Sequence, residues 1–335
     1  MPFNPLGTWG AATWVWKFLA HQVGRVIPAL GALALILVTP APPTPLALGA
    51  YVYGAPQNPA QIDDFAILVG TQPTIIMWYQ QWGSADSDFE PAAFAAVRAR
   101  GAMPMVTWMP CDPNGGPIQP AFALRTIIAG VHDAYIDRWA RAAAAMGQPM
   151  YLRFAHEMNG GWYSWAPGIN GNSGADYVAA WRHVHDIFQR DGATNVRWVW
   201  SPNVMIGAGP SAAMYPGDAY VDWVGLDGYN WGPIDASRRW QRLADIFGPS
   251  YDALTKITNK PVMIAETAST EAGGDKAGWI RQGLLTDVPE RLPKVRAVIW
   301  FDENKEADWR PNSSGTALAT FQEAARSTIY RGQLS

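Results

Sequence analysis

The chain has 335 residues, of which 49% are hydrophobic and 16% charged, a composition that suits one large folded domain rather than several small ones. Its formal net charge of −3 gives no indication of a nucleic-acid partner or an anionic surface. The single cysteine, Cys111, excludes an intramolecular disulfide and a cysteine-based metal cluster.

Residues 1–47 differ in character from the rest of the chain. Lys17 and Arg25 precede an uncharged apolar run at 26–38, which is followed by a proline-rich stretch at 40–45. A basic leader, a short apolar core and small residues beyond it predict a secretory signal, because a membrane-spanning helix needs roughly 20 apolar residues. The alternative is an anchor retained at the outer face of the cell membrane. Both interpretations predict a protein that works outside the cytoplasm.

Eight short apolar runs follow, separated by stretches with helical spacing. The predicted strands are 48–54, 73–79, 102–109, 149–155, 195–201, 221–228, 261–266 and 296–301. The predicted helices are 90–100, 124–146, 176–190 and 276–285. Strands that alternate with helices predict a parallel sheet, and eight such units predict an α/β fold of the closed (β/α)₈ barrel type, as one domain over 48–335. A doubly wound sheet is disfavoured because the turn after the first strand lacks a GxGxxG pattern.

Two of these apolar runs lead into a glutamate. Glu157 lies in the segment RFAHEMNGGWYSWAPG at 153–168, and Glu266 ends the run PVMIAE. In a barrel, the carboxyl ends of the strands carry the chemistry. Hydrolysis of a glycosidic bond needs one carboxyl group to protonate the leaving oxygen and a second to attack or stabilise the sugar carbon. The two strand-end glutamates therefore predict glycoside hydrolysis, and the 18 tryptophans offer flat faces for sugar rings.

Arg153 lies four residues before Glu157, so the two side chains share one face of a strand. If Glu157 points into the mouth of the barrel, Arg153 points inward below it, where a guanidinium favours ionised carboxylates. The alternative is an interior ion pair with another acid.

A metal or cofactor is not expected. The HE pair at 156–157 is not part of a zinc-binding HExxH helix, because residue 160 is glycine. The acidic loop at 302–312 could form a calcium site, but a solvated loop at the rim is the favoured interpretation.

Four motifs lie at or next to predicted strand ends: HEMNG (156–160), WVWSPN (198–203), VDWVGLDGYNWG (221–232) and AVIWF (297–301). Together they resemble glycoside hydrolase family 26, which contains β-mannanases and their mixed-linkage glucanase relatives. The resemblance covers roughly residues 49 to 330. It implies that Glu157 is the acid/base and Glu266 the nucleophile of a retaining enzyme.

The resemblance also implies substrate-binding residues at the strand ends. His156 would line a subsite, Asp227 would lie in the cleft, and Tyr229 would donate a hydrogen bond to the nucleophile. Trp162 and Trp300 would form walls or platforms beside the scissile bond. The predicted substrate-binding set is His156, Trp162, Asp227, Tyr229, Trp300 and Arg153. Trp165, Trp108 and Trp231 either extend the cleft or pack at its rim.

The expected function is that of a secreted, monomeric, retaining endo-β-glycanase whose partner is a β-linked polysaccharide. The resemblance favours β-1,4-mannan, but Met109 stands where some relatives have a polar or charged residue, which leaves mixed-linkage β-1,3-1,4-glucan open and β-xylan as a more distant candidate. A polysaccharide-binding protein without turnover is the alternative from another class. The presence of both glutamates argues against it.

Overall fold

The computed structural model describes residues 44–204 and 212–333. The predicted N-terminal signal or anchor falls almost wholly outside these residues. The eight strands are β1 (Ala47–Val52), β2 (Ile75–Gln81), β3 (Met103–Met109), β4 (Met150–Phe154), β5 (Val196–Trp200), β6 (Trp223–Asp227), β7 (Val262–Thr267) and β8 (Val295–Asp302). Each strand pairs in parallel with the next, and β8 pairs with β1, so the sheet closes into a barrel. The predicted (β/α)₈ fold is confirmed.

Helices lie between the strands. They are α1 (Ala60–Val69), α2 (Pro91–Ala99), α3 (Leu124–Ile128), α4 (Asp133–Met146), α5 (Gly174–Arg190), α6 (Leu243–Ile257), α7 (Lys276–Gln282), α8 (Val288–Arg291) and α9 (Gly315–Arg326). A π-helical turn, Gly283–Asp287, joins α7 to α8. Helix α5 begins where Ser173 and Asp176 form a reciprocal capping box, which satisfies backbone donors at the helix start.

The predicted helix at 124–146 is wrong as a single element. It is divided into α3 and α4, and Gly130 between them has a φ of +80°, a conformation that glycine adopts readily and that ends the helical path. Of the residues described, none lies in a helix that is both long enough and apolar enough to cross a membrane.

Buried side chains form two clusters that follow from the alternation of strand residues. One fills the barrel interior and includes Met77, Met105, Ala265 and Ile299. The other, much larger cluster lies between the strands and the surrounding helices and includes Trp300. Because successive residues of a strand point to opposite faces, a shift of one position decides whether a side chain at a strand end faces the barrel mouth or the helices.

Candidate active site

A cleft of about 910 Å³ opens at the carboxyl ends of the strands. Both glutamates singled out by the sequence line it, and so do Trp162 and Tyr229. Aromatic side chains of β1, β2 and β8 (Tyr51, Tyr79 and Phe301) also contribute to its surface. The cleft therefore brings two carboxyl groups and several flat apolar faces together.

Glu157 is held in place by its own backbone and by two side-chain donors. The backbone at Ala155 and Glu157 adopts φ values of +44° and +50°, which L-residues rarely take, and the Glu157 N–H donates to the carbonyl oxygen of Ser201 over 2.7 Å. Asn203 Nδ2 donates to Oε1 of Glu157 over 2.6 Å, and Trp162 Nε1 donates to Oε2 over 2.7 Å. The bend after β4 thus turns this carboxyl group toward the cleft.

The environment of Glu157 favours the protonated acid. Its side chain is buried, and burial together with the negative charge of Glu266 raises its pKa from 4.5 to about 7. The two hydrogen bonds from Asn203 and Trp162 act in the opposite direction but do not outweigh burial. A carboxyl group with this pKa still holds a proton near neutral pH, which is what a general acid requires.

Glu266 meets donors at both of its carboxylate oxygens. Tyr229 donates its phenolic hydrogen to Oε2 over 2.6 Å, and Arg153 Nη2 donates a short ionic hydrogen bond to Oε1. The position of Glu266 follows from β7, whose neighbour β6 pairs Asp227 with Glu266 across a shift in register. A phenol and a guanidinium both stabilise negative charge, so this carboxylate is oriented and its anion is supported.

Arg153 and Asp227 lie beneath the cleft rather than on its wall. Arg153 is fully buried, donates to Asp227 Oδ1 over 2.8 Å and donates from Nε to Thr107 over 2.9 Å. Ser201 also donates to Asp227 Oδ1, over 3.0 Å. The prediction that Arg153 and Asp227 contact substrate does not match this placement. The two form an interior ion pair behind Glu266, because strand alternation points both side chains into the barrel below its mouth.

His156 is also placed behind the surface that was predicted for it. Its imidazole is buried and packs against the rings of Tyr163 and Tyr79, at centroid distances of 4.8 and 6.0 Å. These two tyrosines line the cleft, whereas His156 does not. Burial, reinforced by the charge of Arg153, holds the pKa of His156 well below its usual value, so the ring is neutral.

His156, Asp227 and Glu266 bring possible metal ligands within 4.8 Å of one another. Arg153 pairs with both carboxylates and offsets part of their negative charge. A cation placed among them would face the guanidinium at close range. The cluster is better explained as the ion pair that orients Glu266 than as a metal centre.

The tryptophans of the predicted cleft fall into two groups. Trp162 is 46% exposed and lines the cleft, as does Trp231, whose ring is covered by the Arg238 guanidinium at 3.7 Å from the centroid. Trp165 and Trp108 are fully buried, and their indoles donate to the His156 carbonyl oxygen and the Tyr135 hydroxyl. They pack below the rim.

The placement predicted for Trp300 is wrong. Trp300 is completely buried, donates from Nε1 to the Trp309 carbonyl oxygen over 3.0 Å, and packs edge-on against Phe321 of α9. Its neighbour Phe301 lines the cleft instead. The cause is the alternation of β8, in which Ala297, Ile299 and Phe301 share the barrel face and Trp300 takes the helix face.

Several cleft residues were missed or given another role by sequence reasoning. The cleft-lining residues Tyr51, Tyr79 and Phe301 lie on predicted strands. The two-residue alternation of side chains along those strands was the signal that could have identified them as facing the barrel. Asn203, the last residue of the WVWSPN motif, donates a hydrogen bond to Glu157. The loop after β8, considered as a solvated rim, contributes cleft-lining side chains, which are Glu303, Lys305, Glu306 and Trp309.

A closed barrel with two buried carboxyl groups facing one cleft at its strand ends is the arrangement of barrel glycosidases. Comparison with known proteins identifies the family, because residues 123–288 match the sequence profile of glycosyl hydrolase family 26. The catalytic domain of a Bacillus sp. JAMB-750 family 26 endo-β-1,4-mannanase superposes with a TM-score of 0.65 at 18% identity, over 85% of this chain and 86% of that one. This likeness supports the fold.

Curated relatives are similar at the level of sequence. The chain is 42% identical to endoglucanase H of Acetivibrio thermocellus over 83% of its own length and 30% of that protein. It is 26% identical to mannan endo-1,4-β-mannosidase A and B of Caldalkalibacillus mannanilyticus over 56% of its length and 33% of that protein. The chain thus spans about a third of the length of these relatives. It belongs to glycosyl hydrolase family 26.

Proposed function

We propose that this chain is a retaining endo-β-glycanase in which Glu157 is the general acid and then the base, and Glu266 is the nucleophile. The observation that carries the proposal is the contrast between two carboxyl groups in one cleft. Burial holds the pKa of Glu157 at about 7, whereas Glu266 lies between a guanidinium and a phenol that support its negative charge. Double displacement needs this combination of a protonated acid and an ionised nucleophile.

In the first step, the Glu266 oxygen attacks the anomeric carbon of the bound sugar. The bond from that carbon to the leaving oxygen breaks, and Glu157 transfers its proton to this oxygen. Tyr229 and Arg153 hold the attacking carboxylate in one orientation, so that little freedom has to be lost as the ester forms. The product is a covalent glycosyl ester of Glu266.

In the second step, Glu157 is ionised and accepts a proton from a water molecule. The oxygen of that water attacks the anomeric carbon from the face that the leaving group vacated, and the ester bond to Glu266 breaks. Two inversions at one carbon give overall retention. The hydrogen bonds from Asn203 and Trp162 to Glu157 favour the ionised form that this step uses.

The cleft supports an internal position of the scissile bond. Trp162 and Tyr163 lie on the loop after β4, and Trp231 follows β6. Accessible aromatic faces on two loops of the same cleft offer stacking sites for more than one sugar unit. A polysaccharide chain is therefore the proposed substrate rather than a short terminal sugar.

We infer that β-glucan, including mixed-linkage β-1,3-1,4-glucan, is the first substrate to test, and β-1,4-mannan the second. The relative with 42% identity over 83% of the chain is named an endoglucanase, whereas the relative named a mannosidase is 26% identical over 56% of it. The endoglucanase name describes a protein of which the chain matches 30%, so the substrate must be measured. Glucose and mannose differ at one hydroxyl, which polar groups rather than the aromatic faces must distinguish.

The site of action is a further part of the proposal. The basic leader and apolar run before residue 48 support export from the cytoplasm, either as a secreted monomer or attached to the outer face of the membrane. N-terminal sequencing of the protein recovered from medium and from washed cells distinguishes cleavage from anchoring. A full-length chain found in the cytoplasm would contradict both.

The test of the function is a panel of barley β-glucan, mannan, glucomannan and xylan scored by release of reducing ends. We expect hydrolysis of one of these polymers, with Glu157→Gln and Glu266→Gln each losing nearly all of it. The matched control is Glu323→Gln, which changes an exposed acid on α9 that pairs with Arg281 on α7. This variant should behave as the wild type. Binding of a polymer without hydrolysis would favour the non-catalytic alternative, and full activity in either glutamine variant would reject the assignment.

A further inference from the structure

The two donors that bind Glu157 differ in how firmly they are held. Asn203 is fixed on both sides of its backbone, because its N–H donates to Asn159 Oδ1 over 2.8 Å and its carbonyl accepts from Asn159 Nδ2 over 2.8 Å. Trp162 is 46% exposed at the cleft, and its indole lies on the backbone of Gly160. A β-carbon at Gly160 would come within 2.3 Å of the Trp162 ring. One donor is therefore held by hydrogen bonds at its own backbone, whereas the other packs on a glycine and is accessible to a ligand in the cleft.

The two catalytic steps make opposite demands on Glu157. An N–H donor binds a carboxylate more strongly than it binds a neutral carboxyl group, so both donors favour the ionised form. That form is the base of the second step. The first step needs a protonated oxygen aimed at the leaving group, and the Trp162 N–H occupies Oε2.

We propose that Trp162 is a positioning residue that switches the protonation state of Glu157: the indole N–H bound to Oε2 shifts the balance toward the base form, and its withdrawal when a sugar stacks on the ring leaves Oε2 as the proton-donating oxygen. This inference rests on the proposed double displacement. It assigns a proton-controlling role to a side chain whose expected role is a stacking surface. Oε1 remains bound to Asn203 throughout, which identifies Oε2 as the oxygen that exchanges the proton.

Other charged and titratable groups also face Glu157 and must be separated from this effect. They are Arg153 on β4, Tyr163 on the loop after β4, Asp227 and Tyr229 at the end of β6, and Glu266 on β7. Trp162→Phe leaves all of them unchanged and keeps an aromatic face, but removes the N–H. Any shift of the pH profile in this variant therefore reports the lost hydrogen bond.

The experiment measures kcat/KM against pH on the polysaccharide that the enzyme cleaves, and kcat against pH on a dinitrophenyl β-glycoside of the same sugar. The first quantity falls as Glu157 loses its proton. The second requires ionised Glu157 when breakdown of the glycosyl ester limits the rate. In Trp162→Phe we expect both limbs to move to higher pH by about one pH unit. These are the alkaline limb of kcat/KM on the polysaccharide and the acid limb of kcat on the dinitrophenyl glycoside.

Two further variants make the test decisive. Trp231→Phe alters another cleft tryptophan that does not bind Glu157, and it should leave both limbs in place whatever it does to the rate. Gly160→Ala keeps the indole N–H but displaces the ring, and it should move the limbs in the same direction as Trp162→Phe. A uniform loss of rate in Trp162→Phe with neither limb moved would overturn the switch and leave Trp162 as a stacking surface. Activity retained in Glu157→Gln would instead reject the proposed function itself.

Discussion

Tyr229 and Glu266 are joined by a 2.6 Å hydrogen bond from the phenolic oxygen to Oε2, across the adjacent strands β6 and β7. The other carboxylate oxygen of Glu266, Oε1, accepts a hydrogen bond from Arg153. Neither donor lies near Glu266 in sequence. The barrel thus builds the surroundings of this carboxylate from three strands, which gives it a fixed orientation before substrate arrives.

Replacing Tyr229 by Phe should slow the reaction without unfolding the protein. The change removes one hydrogen bond to an ionised group, and we expect kcat/KM to fall roughly 10- to 100-fold. Tyr215→Phe is the matched control, because it removes a phenol bond of the same length, 2.6 Å, to Asp218 at a position that does not line the cleft. Equal kinetics for Tyr229→Phe and the wild type would show that the phenol does not orient Glu266.

The pH dependence of kcat/KM should have an alkaline limb near pH 7. The first step needs protonated Glu157, whose pKa is raised by burial to about 7, so activity should fall as pH rises through this value. Glu157→Gln should lose activity on the polysaccharide at every pH, whereas cleavage of an aryl glycoside with a good leaving group should be affected far less in its first step. Pre-steady-state release of the aryl group measures that step. An alkaline limb that persists unchanged in Glu157→Gln on the aryl substrate would assign it to another group.

The same raised pKa predicts a stability cost. An unfolded glutamate ionises near pH 4.5 and the folded Glu157 near pH 7, so the native state holds the extra proton between these values and stability falls as pH rises through this window. Glutamine does not titrate. From pH 4 to pH 8, the unfolding free energy of Glu157→Gln should therefore gain roughly 1 to 3 kcal/mol relative to the wild type.

The amide that Glu157→Gln places beside the donors Asn203 and Trp162 changes the unfolding free energy by an amount that does not depend on pH. Subtracting the value at pH 4 from the value at pH 8 removes this constant contribution. Denaturant unfolding at both pH values measures the difference, and Glu323→Gln, an exposed acid, should show little change. A stability difference between Glu157→Gln and the wild type that is the same at pH 4 and pH 8 would contradict the raised pKa.

Trp162 and Trp300 should respond differently to replacement by alanine. Trp300 is fully buried against Phe321 and α9, so its truncation should destabilise the fold by roughly 3 to 5 kcal/mol. Trp162 is half exposed at the cleft, and its truncation should lower kcat/KM roughly 10- to 100-fold with little change in Tm. Thermal melts and steady-state kinetics on the same two proteins separate the effects. If Trp300→Ala lowered kcat/KM without loss of stability, and Trp162→Ala destabilised the fold instead, Trp300 would have to be assigned to the cleft.

The sequence predicted the barrel and the two strand-end glutamates because both depend on local patterns. Apolar runs of strand length mark the strands, and the chain order of eight units fixes the closed parallel sheet. The register at single residues was harder to read. Trp300 and Phe301 are both large and apolar, and only the pairing of β8 with β1 and β7 decides that Phe301 faces the cleft.

The interior ion pair could not be predicted in full for a related reason. Strand period placed Arg153 inside the barrel below Glu157, but its partners Asp227 and Glu266 lie on β6 and β7, across the barrel. Their meeting depends on the diameter and tilt of the closed sheet, which no local pattern encodes. The same holds for Asn203, whose contact with Glu157 joins the ends of β5 and β4.

Trapping the covalent intermediate tests the central claim most directly. A β-glycoside of the cleaved sugar, with fluorine in place of the 2-hydroxyl and a good leaving group at the anomeric carbon, should glycosylate the nucleophile. The resulting ester should hydrolyse slowly, because fluorine destabilises the oxocarbenium-like transition state. Mass spectrometry of the digested protein should locate one sugar on Glu266, and proton NMR of the product first released from substrate should show the β-anomer. An adduct on another cleft carboxylate such as Glu303, or an initial α-anomer, would contradict the assignment of Glu266 as the nucleophile of a retaining enzyme.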